Sequence, residues 1–283
     1  MRTAARIAEL RTLLAERRRG GDRIALVPTM GFLHEGHLSL VDEARRHASC
    51  VVMSIFVNPL QFGPTEDLAR YPRDPEGDAA KAEARGVDIL FTPGEREVYP
   101  GSRRIIEVRA MALADRWEGA VRPGHFAGVL TVVAKLFNIT QPDVAVFGQK
   151  DIQQAALVRA MVRELDFPIR LVVAPTVREA DGLAMSSRNS YLSTQDRRHA
   201  LVLSRALRAI AAAFGAGERN AAALTRIGQE ELAAVPAAQV DYLAIVDPER
   251  MEPVEEAVAG SIAAVAARVG HTRLIDNVIL EAP

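Results

Sequence analysis

Short, largely apolar runs at residues 24–27, 49–56, 87–91, 144–147 and 169–174 punctuate the first part of the chain. A strand covered on both faces needs no polar alternation, so these runs read as buried strands. Between them, apolar residues recur three and four apart. This spacing predicts helices over 3–19 (Ala5, Ile7, Leu10, Leu13, Leu14), from His37 onward (Leu38, Leu40, Val41, Ala44), and over 75–85, 127–140 and 152–165. Pro75 suits a first helical turn, and Gly86 closes the helix that Pro75 opens. A further short strand is expected over 104–108. Strands alternating with helices imply parallel pairing, right-handed crossovers, and ligands at the carboxyl ends of the strands.

Beyond residue 175 the pattern changes. A polar loop over 176–189 leads to two Ala-rich helices at 194–215 and 219–234, then to short strands at 240–246, 261–269 and 272–280. Turns such as Asp247-Pro248 and Gly270-His271 separate these strands, the mark of a small antiparallel sheet with helices on one face. The expected architecture is therefore α/β. A Rossmann-like parallel sheet with flanking helices occupies 1–178, and a smaller C-terminal α+β domain with a short antiparallel sheet occupies 179–283.

Composition adds exclusions. With 49% hydrophobic residues, 25% charged residues and a formal net charge of −1, the chain lacks the basic excess of a general nucleic-acid binder. The lone cysteine, Cys50, excludes an internal disulfide and is expected as a buried thiol. No apolar leader core opens the sequence, and charges interrupt every long apolar stretch, so a cytoplasmic location is expected.

Candidate chemistry clusters at the predicted strand ends. The first is Pro28-Thr29-Met30-Gly31-Phe32-Leu33-His34-Glu35-Gly36-His37, a strand, a glycine-bearing loop and a helix start. Free N–H groups and the positive end of a helix dipole make such a turn an anion site, and two imidazoles three apart share one side of it. Gly148-Gln149-Lys150-Asp151 repeats the arrangement after a later strand, with a lysine that can reach phosphate oxygens. Asn58 and Gln61 follow the second strand as ligand-facing amides or as turn caps, and His125 enters its helix either as a ligand group or as a core histidine. A zinc reading of the two histidines fails on spacing, since a metalloprotease helix needs them four apart with a third ligand nearby.

These residues resemble a known family. His34-Glu35-Gly36-His37 looks like the His-x-Gly-His signature of Rossmann-like nucleotidyltransferases, and Met185-Ser186-Ser187-Arg188 resembles their second phosphate loop. Pro28-Thr29-Met30-Gly31, the segment from Phe56 to Gly63, Tyr71-Pro72-Arg73, His125-Phe126-Ala127-Gly128-Val129, the segment from Gly148 to Gln154, and the segment from Asp181 to Asn189 narrow it. In this order they are similar to the pantoate–β-alanine ligases.

That resemblance implies ATP-dependent joining of pantoate to β-alanine through pantoyl adenylate, releasing pyrophosphate and AMP, with Mg²⁺ accompanying ATP. It places Met30, Gly31, Phe32, Leu33, His34, Glu35, Gly36 and His37 around ATP, with His34 and His37 on the phosphates and His37 as proton donor. Gly148, Gln149, Lys150 and Asp151 would also bind ATP, with Lys150 on the phosphoryl centre and Asp151 on the ribose side. The Val177 backbone would meet adenine, and Met185, Ser186, Ser187 and Arg188 would close over the triphosphate. Gln61 would hold pantoate and β-alanine and Gln154 pantoate, with Asn58, Tyr71, Arg122 and His125 completing that pocket. The Mg²⁺ ligands are left open, with Asp78 the one candidate. Gln149 and Ile152 stand where many relatives carry Glu and an aromatic, which touches local packing. A homodimer joined through the first domain is implied, as is closure of the second domain. The rivals are a plain nucleotidyltransferase that keeps its dinucleotide product, and a nucleotide-binding regulator that has lost catalysis.

Overall fold

The structure, a computed structural model, describes residues 1–64, 66–101 and 105–281. Its chain divides into two compact units: Met1–Gly148 with Leu157–Pro175, and Gln149–Ala156 with Thr176–Pro283.

The first unit is built on six parallel strands. They are β1 (Arg2–Ala4), β2 (Ile24–Thr29), β3 (Cys50–Ile55), β4 (Ile89–Phe91), β5 (Val144–Gly148) and β6 (Arg170–Ala174), in the spatial order β1-β4-β3-β2-β5-β6. From β2 the order runs outward through β3 in one direction and through β5 in the other, so the carboxyl ends of β2 and β5 flank the switch point where such sheets bind ligands. The connecting helices are α1 (Ile7–Arg19), α2 (Glu35–Arg45), α3 (Pro75–Ala84), α4 (Glu95–Val98), α5 (Glu118–Val121), α6 (His125–Thr140) and α7 (Ile152–Glu164).

Consecutive strand residues face opposite ways, and this splits the core in two. Ile24, Leu26, Cys50, Val52, Ile89 and Phe91 pack with α1, α6 and the later part of α7, including Leu157 and Met161. Ala25, Val27, Val51, Met53, Leu90 and Val146 pack with Leu38, Val41 and Ala44 of α2 and Ala82 of α3. Full burial of a side chain such as Leu26 or Phe91 contributes roughly 1.5–3 kcal/mol, so both faces of the sheet need their helices. Burial pushes the Cys50 thiol up to about 11, which keeps it protonated and inert.

Three expectations change. Helical spacing over 3–19 hides β1, because a three-residue strand is too short to show a period; Arg2 pairs with Ile89 and Thr3 with Leu90. The helix starts instead at Ile7, where the Glu9 carboxylate accepts from the N–H groups of Ala5 and Arg6, both at 3.2 Å. The strand expected over 104–108 is absent among the described residues: Arg104 lies outside them, and 105–108 run without a strand partner, leaving Ile105 and Ile106 95% and 81% exposed. Finally, α6 begins at His125 rather than after it, behind Gly124 in the left-handed region.

In the second unit, α8 (Thr194–Gly215) and α9 (Ala221–Ala233) cover an antiparallel sheet of β7 (Ala238–Val246), β8 (Ile262–Val269) and β9 (Thr272–Ile279) in the order β7-β8-β9. Both helices start at side-chain caps, with Ser193 Oγ accepting from Asp196 N and Asn220 Oδ1 from Ala223 N. Leu203, Leu207, Ile210 and Phe214 of α8 pack on Ile245, Val265 and Leu274 of the sheet. No described helix is long and apolar enough to cross a membrane.

One packing contact bears directly on the site. Helix α6 approaches the single turn Pro59–Gln61 so closely that a Cβ on Gly128 would lie 2.1 Å from the Leu60 carbonyl oxygen and 2.7 Å from Gln61 N. Both neighbours are backbone and cannot rotate away. Gly128→Ala is therefore expected to lower stability by about 1–3 kcal/mol, the usual penalty of overpacking. Urea denaturation reads this directly, and an unchanged midpoint would show that helix and turn separate freely.

Candidate active site

The loop leaving β2 is held by its neighbours rather than by itself. Thr29 Oγ1 donates to the Ser54 carbonyl at 2.8 Å and accepts from Gly31 N at 3.2 Å. Gly31 (φ +83°) and Phe32 (φ +52°) then turn the chain through the left-handed region. A side chain at Gly31 would meet Ile55 Cγ2 at 2.8 Å and Asp78 Oδ2 at 2.9 Å, so that position needs glycine on both counts. Asp78, buried in the first turn of α3, accepts from Phe32 N at 2.7 Å and Leu33 N at 2.6 Å. The Lys81 ammonium donates to the Leu33 carbonyl at 3.0 Å. Asp78 is also the one guess the sequence offered for a Mg²⁺ ligand; each of its oxygens receives a backbone N–H of this loop. No cluster of three His, Cys, Asp or Glu side chains fit for a metal ion occurs among the described residues.

The two histidines cap their own helix. His34 is the N-cap of α2, and its Nδ1 accepts from Gly36 N at 3.1 Å. His37 Nδ1 accepts from His34 N over a longer 3.4 Å. The rings lie 4.0 Å apart between centroids, tilted by 34°. A nitrogen that accepts from a backbone N–H carries no proton, so each neutral imidazole holds its proton on Nε2.

Gln61 is oriented from behind. Its Oε1 accepts from Asn58 Nδ2 at 3.1 Å, which directs its own Nε2 to Met30 Sδ at 3.0 Å. Asn58 is itself saturated: Nδ2 also donates to the Gly128 carbonyl at 3.1 Å, while Oδ1 accepts from Tyr99 Oη at 2.8 Å and Leu60 N at 3.3 Å. The Gln61 carbonyl accepts from Arg122 Nη2 at 3.2 Å and His125 Nδ1 at 2.8 Å. Arg122 also grips Glu66 with two bonds of 2.8 and 2.7 Å. Burial raises the Glu66 carboxyl, but the Arg122 guanidinium outweighs it and holds the group below the usual range. Arg122 and His125 thus touch the Gln61 backbone, and the buried Tyr71 ring meets Phe62 edge-on.

The remaining candidates lie in the second unit, apart from Gly148, which ends β5. Gln149–Asp151 form a single turn, with Asp151 exposed and Gln154 half-buried in the following helix. Asn277 of β9 donates to the carbonyls of Gln149 and Lys150, both at 3.0 Å, and accepts from Gln149 Nε2 at 3.1 Å. Residues 177–185 fold back on themselves: Met185 N donates to the Val177 carbonyl at 3.0 Å, and Glu179 N to the Leu183 carbonyl at 2.8 Å. Ser186 Oγ accepts from Arg188 N at 3.3 Å, starting the turn Ser187–Tyr191, in which Ser187 is buried. The structural work of Asp78, Glu66, Tyr99 and Asn277 leaves no signal in the spacing of the motifs.

A parallel α/β sheet with a glycine turn and an imidazole-capped helix at a strand end, and a lysine-bearing turn following a second strand, defines a Rossmann-like fold of the nucleotide-binding kind. The sequence matches the family model described as Pantoate-beta-alanine ligase over residues 2–279, and the chain belongs to that family. It is 53% identical to the pantothenate synthetase of Moorella thermoacetica over 97% of each chain, and 54% identical to that of Thermus thermophilus over 98% of each. A crystal structure of pantothenate synthetase from Thermus thermophilus superposes with a TM-score of 0.94 at 52% identity, covering 99% of this chain and 100% of that one. A pantoate-beta-alanine ligase from Francisella tularensis, complexed with beta-gamma ATP and beta-alanine, superposes with a TM-score of 0.79 at 32% identity over 100% of this chain and 99% of that one.

His125 ties the stability of the fold to pH. Burial and the neighbouring Arg122 charge push its pKa from 6.5 down to about 4, so it is neutral in the folded chain across that interval. The unfolded chain binds a proton there that the folded chain does not, so stability falls as pH drops from 6.5 to 4 and gains nothing above 6.5. At ~1.4 kcal/mol per pH decade the loss reaches about 3 kcal/mol. His125→Asn keeps an N–H donor for the Gln61 carbonyl but cannot titrate. Urea melts at stepped pH should show a flatter dependence for this variant, and an undiminished slope would trace the effect elsewhere.

Proposed function

We propose that the chain joins pantoate to β-alanine in two ATP-dependent steps. In the first, a pantoate carboxylate oxygen attacks the α-phosphorus of ATP; the bond to the bridging oxygen breaks, and pyrophosphate departs to leave pantoyl adenylate. In the second, the β-alanine amine attacks the acyl carbon, loses a proton, and AMP leaves with the electron pair of the broken acyl–oxygen bond. A carboxylate is a poor electrophile, and the mixed anhydride converts one unreachable amide synthesis into two accessible displacements.

The observation that carries this reading is the pair of imidazoles at the start of α2. Each uses Nδ1 as the acceptor of a backbone N–H, so each presents an Nε2–H as donor beside the positive end of a helix. Donors of that kind favour charge growing on a departing pyrophosphate more than they favour the bound ground state. We assign His34 and His37 to the phosphates, with His37 as proton donor, and the loop Met30, Gly31, Phe32, Leu33, Glu35 and Gly36 to ATP. Gln61 would hold pantoate and β-alanine through an amide whose orientation Asn58 fixes, and Gln154 would hold pantoate. From the second unit and the end of β5, Gly148 to Asp151 would serve ATP, with Lys150 meeting phosphate charge, the Val177 backbone meeting adenine, and Met185, Ser186, Ser187 and Arg188 meeting the triphosphate.

Magnesium would enter as part of the substrate, MgATP. It dehydrates reluctantly and is commonly held by phosphate oxygens and water with one or two carboxylates at most. We further propose domains at 1–178 and 179–283, a cytoplasmic location and a homodimer. The exposed Ile105, Ile106, Met111 and Val121, all in the first unit, supply apolar surface of the kind subunit contacts cover.

Pantoate-dependent exchange of pyrophosphate into ATP, run with β-alanine withheld, tests the first step alone. Exchange is expected, with AMP and pantothenate appearing only once β-alanine is added; accumulation of a stable dinucleotide would overturn the ligase chemistry. His37→Ala should lower turnover about 10²–10⁴-fold, the usual range for a positioned proton donor. Pantothenate formation at the parent rate in that variant would remove His37 from the mechanism.

A further inference from the structure

We infer that Asn277, seated on Asp276, is a positioning residue for the Lys150 turn. The inference rests on the reading above that Lys150 meets the phosphate undergoing transfer. Asn277 lies mid-strand in β9 and is 1% exposed, an unusual place for an amide unless its bonds are satisfied. All of them are. Both Nδ2 hydrogens go to backbone carbonyls, those of Gln149 and Lys150 at 3.0 Å each, and Oδ1 accepts from Gln149 Nε2 at 3.1 Å. The amide has one workable orientation, because a flip would set Oδ1 against two carbonyl oxygens.

The turn that bears Lys150 spans only Gln149–Asp151. It leads directly into α7, and two of its carbonyls are held by one side chain from a residue 127 and 128 positions away. Asn277 is seated in turn. Its N–H donates to Asp276 Oδ1 at 2.8 Å, and its carbonyl accepts from Arg178 Nη2 at 3.3 Å. Asp276 is 4% exposed and takes both arms of the Arg178 guanidinium at 2.7 and 3.0 Å, while Arg178 Nη1 also reaches the Gly182 carbonyl at 3.2 Å. Two successive residues of one strand therefore fix the backbone of the Lys150 turn and, through Arg178, that of the 178–184 loop preceding Ser186. None of these bonds touches the Lys150 ammonium, so Asn277 would act on where the lysine is aimed.

The test uses the full chain with Asn277→Ala and Asn277→Asp. The first removes the three bonds without adding charge. The second keeps the shape but sets a carboxylate against two carbonyls. Hydrogen exchange followed by peptide mass analysis should show faster exchange over 149–153 in both variants, with the peptides of β7 and β8 keeping their protection. Unaltered exchange over 149–153 in Asn277→Ala would overturn the clamp. In the pantoate-dependent exchange assay, Asn277→Ala should lower kcat about 10–100-fold, the scale of loss from misplacing a catalytic group by an ångström, with KM for pantoate little changed. Added to Lys150→Ala, the same change should lower kcat little further, since both act on one group. Full additivity, or a loss expressed in KM alone, would overturn the positioning role. Undiminished exchange activity in Lys150→Ala alone would instead refute the assignment of Lys150 to phosphate, and in that case the peptide exchange over 149–153 still decides whether the clamp exists.

Discussion

A buried carboxylate sets the shape of the loop to which the first unit's proposed chemistry is assigned. Glycine enters the left-handed region without penalty, but Phe32 does so at a strain of about 1–2 kcal/mol. Asp78 meets that strain with two hydrogen bonds from the successive N–H groups of Phe32 and Leu33. Bonds to a charged acceptor contribute about 1.5–3 kcal/mol each, so the pair outweighs the strain even after some desolvation of the carboxylate. Position helps as well. Asp78 stands in the first turn of α3, where the helix dipole favours negative charge, and Lys81 on the next turn bonds the Leu33 carbonyl. Helix α3 serves the loop from outside, and the loop delivers the chain to the start of α2.

That start is where secondary structure and chemistry become one question. Helix N-termini are ordinarily capped by Ser, Thr, Asp or Asn, whose oxygens take up an orphan N–H. Here the cap and the residue three further on are imidazoles, and they divide the task reciprocally. Capping by an imidazole has a consequence that capping by a hydroxyl lacks: it decides which ring nitrogen holds the proton. Asn58 does the same for an amide, since its Nδ2 can meet Gln61 only at the oxygen and so sends the Gln61 nitrogen toward Met30. In both places a local hydrogen bond, formed for structural reasons, fixes the donor and acceptor pattern that a ligand would meet.

Most of the fold is legible in the sequence because it is periodic. Doubly covered strands give largely apolar runs, amphipathic helices give spacings of three and four, and both survive into β2 to β6 and the long helices. The three residues of β1 are too few to show a period, and they lie beside a strongly periodic helix that absorbs them. Among the described residues 105–108 the apolar side chains suggest a strand, but a strand needs a neighbour as well as a composition. The two turns proposed for phosphate stand out in the sequence because their glycines, histidines and lysine are adjacent. Asp78 is visible there only as an acidic residue in a first helical turn, which many helices have. Asn277 is visible only as a polar interruption of a strand. What each does depends on a partner far away in the chain, and periodicity carries no record of that.

The same physical device recurs at three turns. Asp78 holds backbone N–H groups 45 and 46 residues distant, Arg122 and His125 hold a carbonyl 61 and 64 residues distant, and Asn277 holds carbonyls 127 and 128 residues distant. In each case a side chain anchored in or beside a helix or strand binds the main chain of a turn. Turns at strand ends leave main-chain groups that no ladder or helix satisfies, and burying such groups unpaired costs about 1–3 kcal/mol each. Partnering them removes that penalty and narrows the positions the turn can take. A functional side chain borne on the turn inherits the narrowing, although it makes none of the bonds. The rigid elements therefore contribute to a site through main-chain atoms of its loops, which explains why residues outside every recognisable motif can still govern where the motif residues stand.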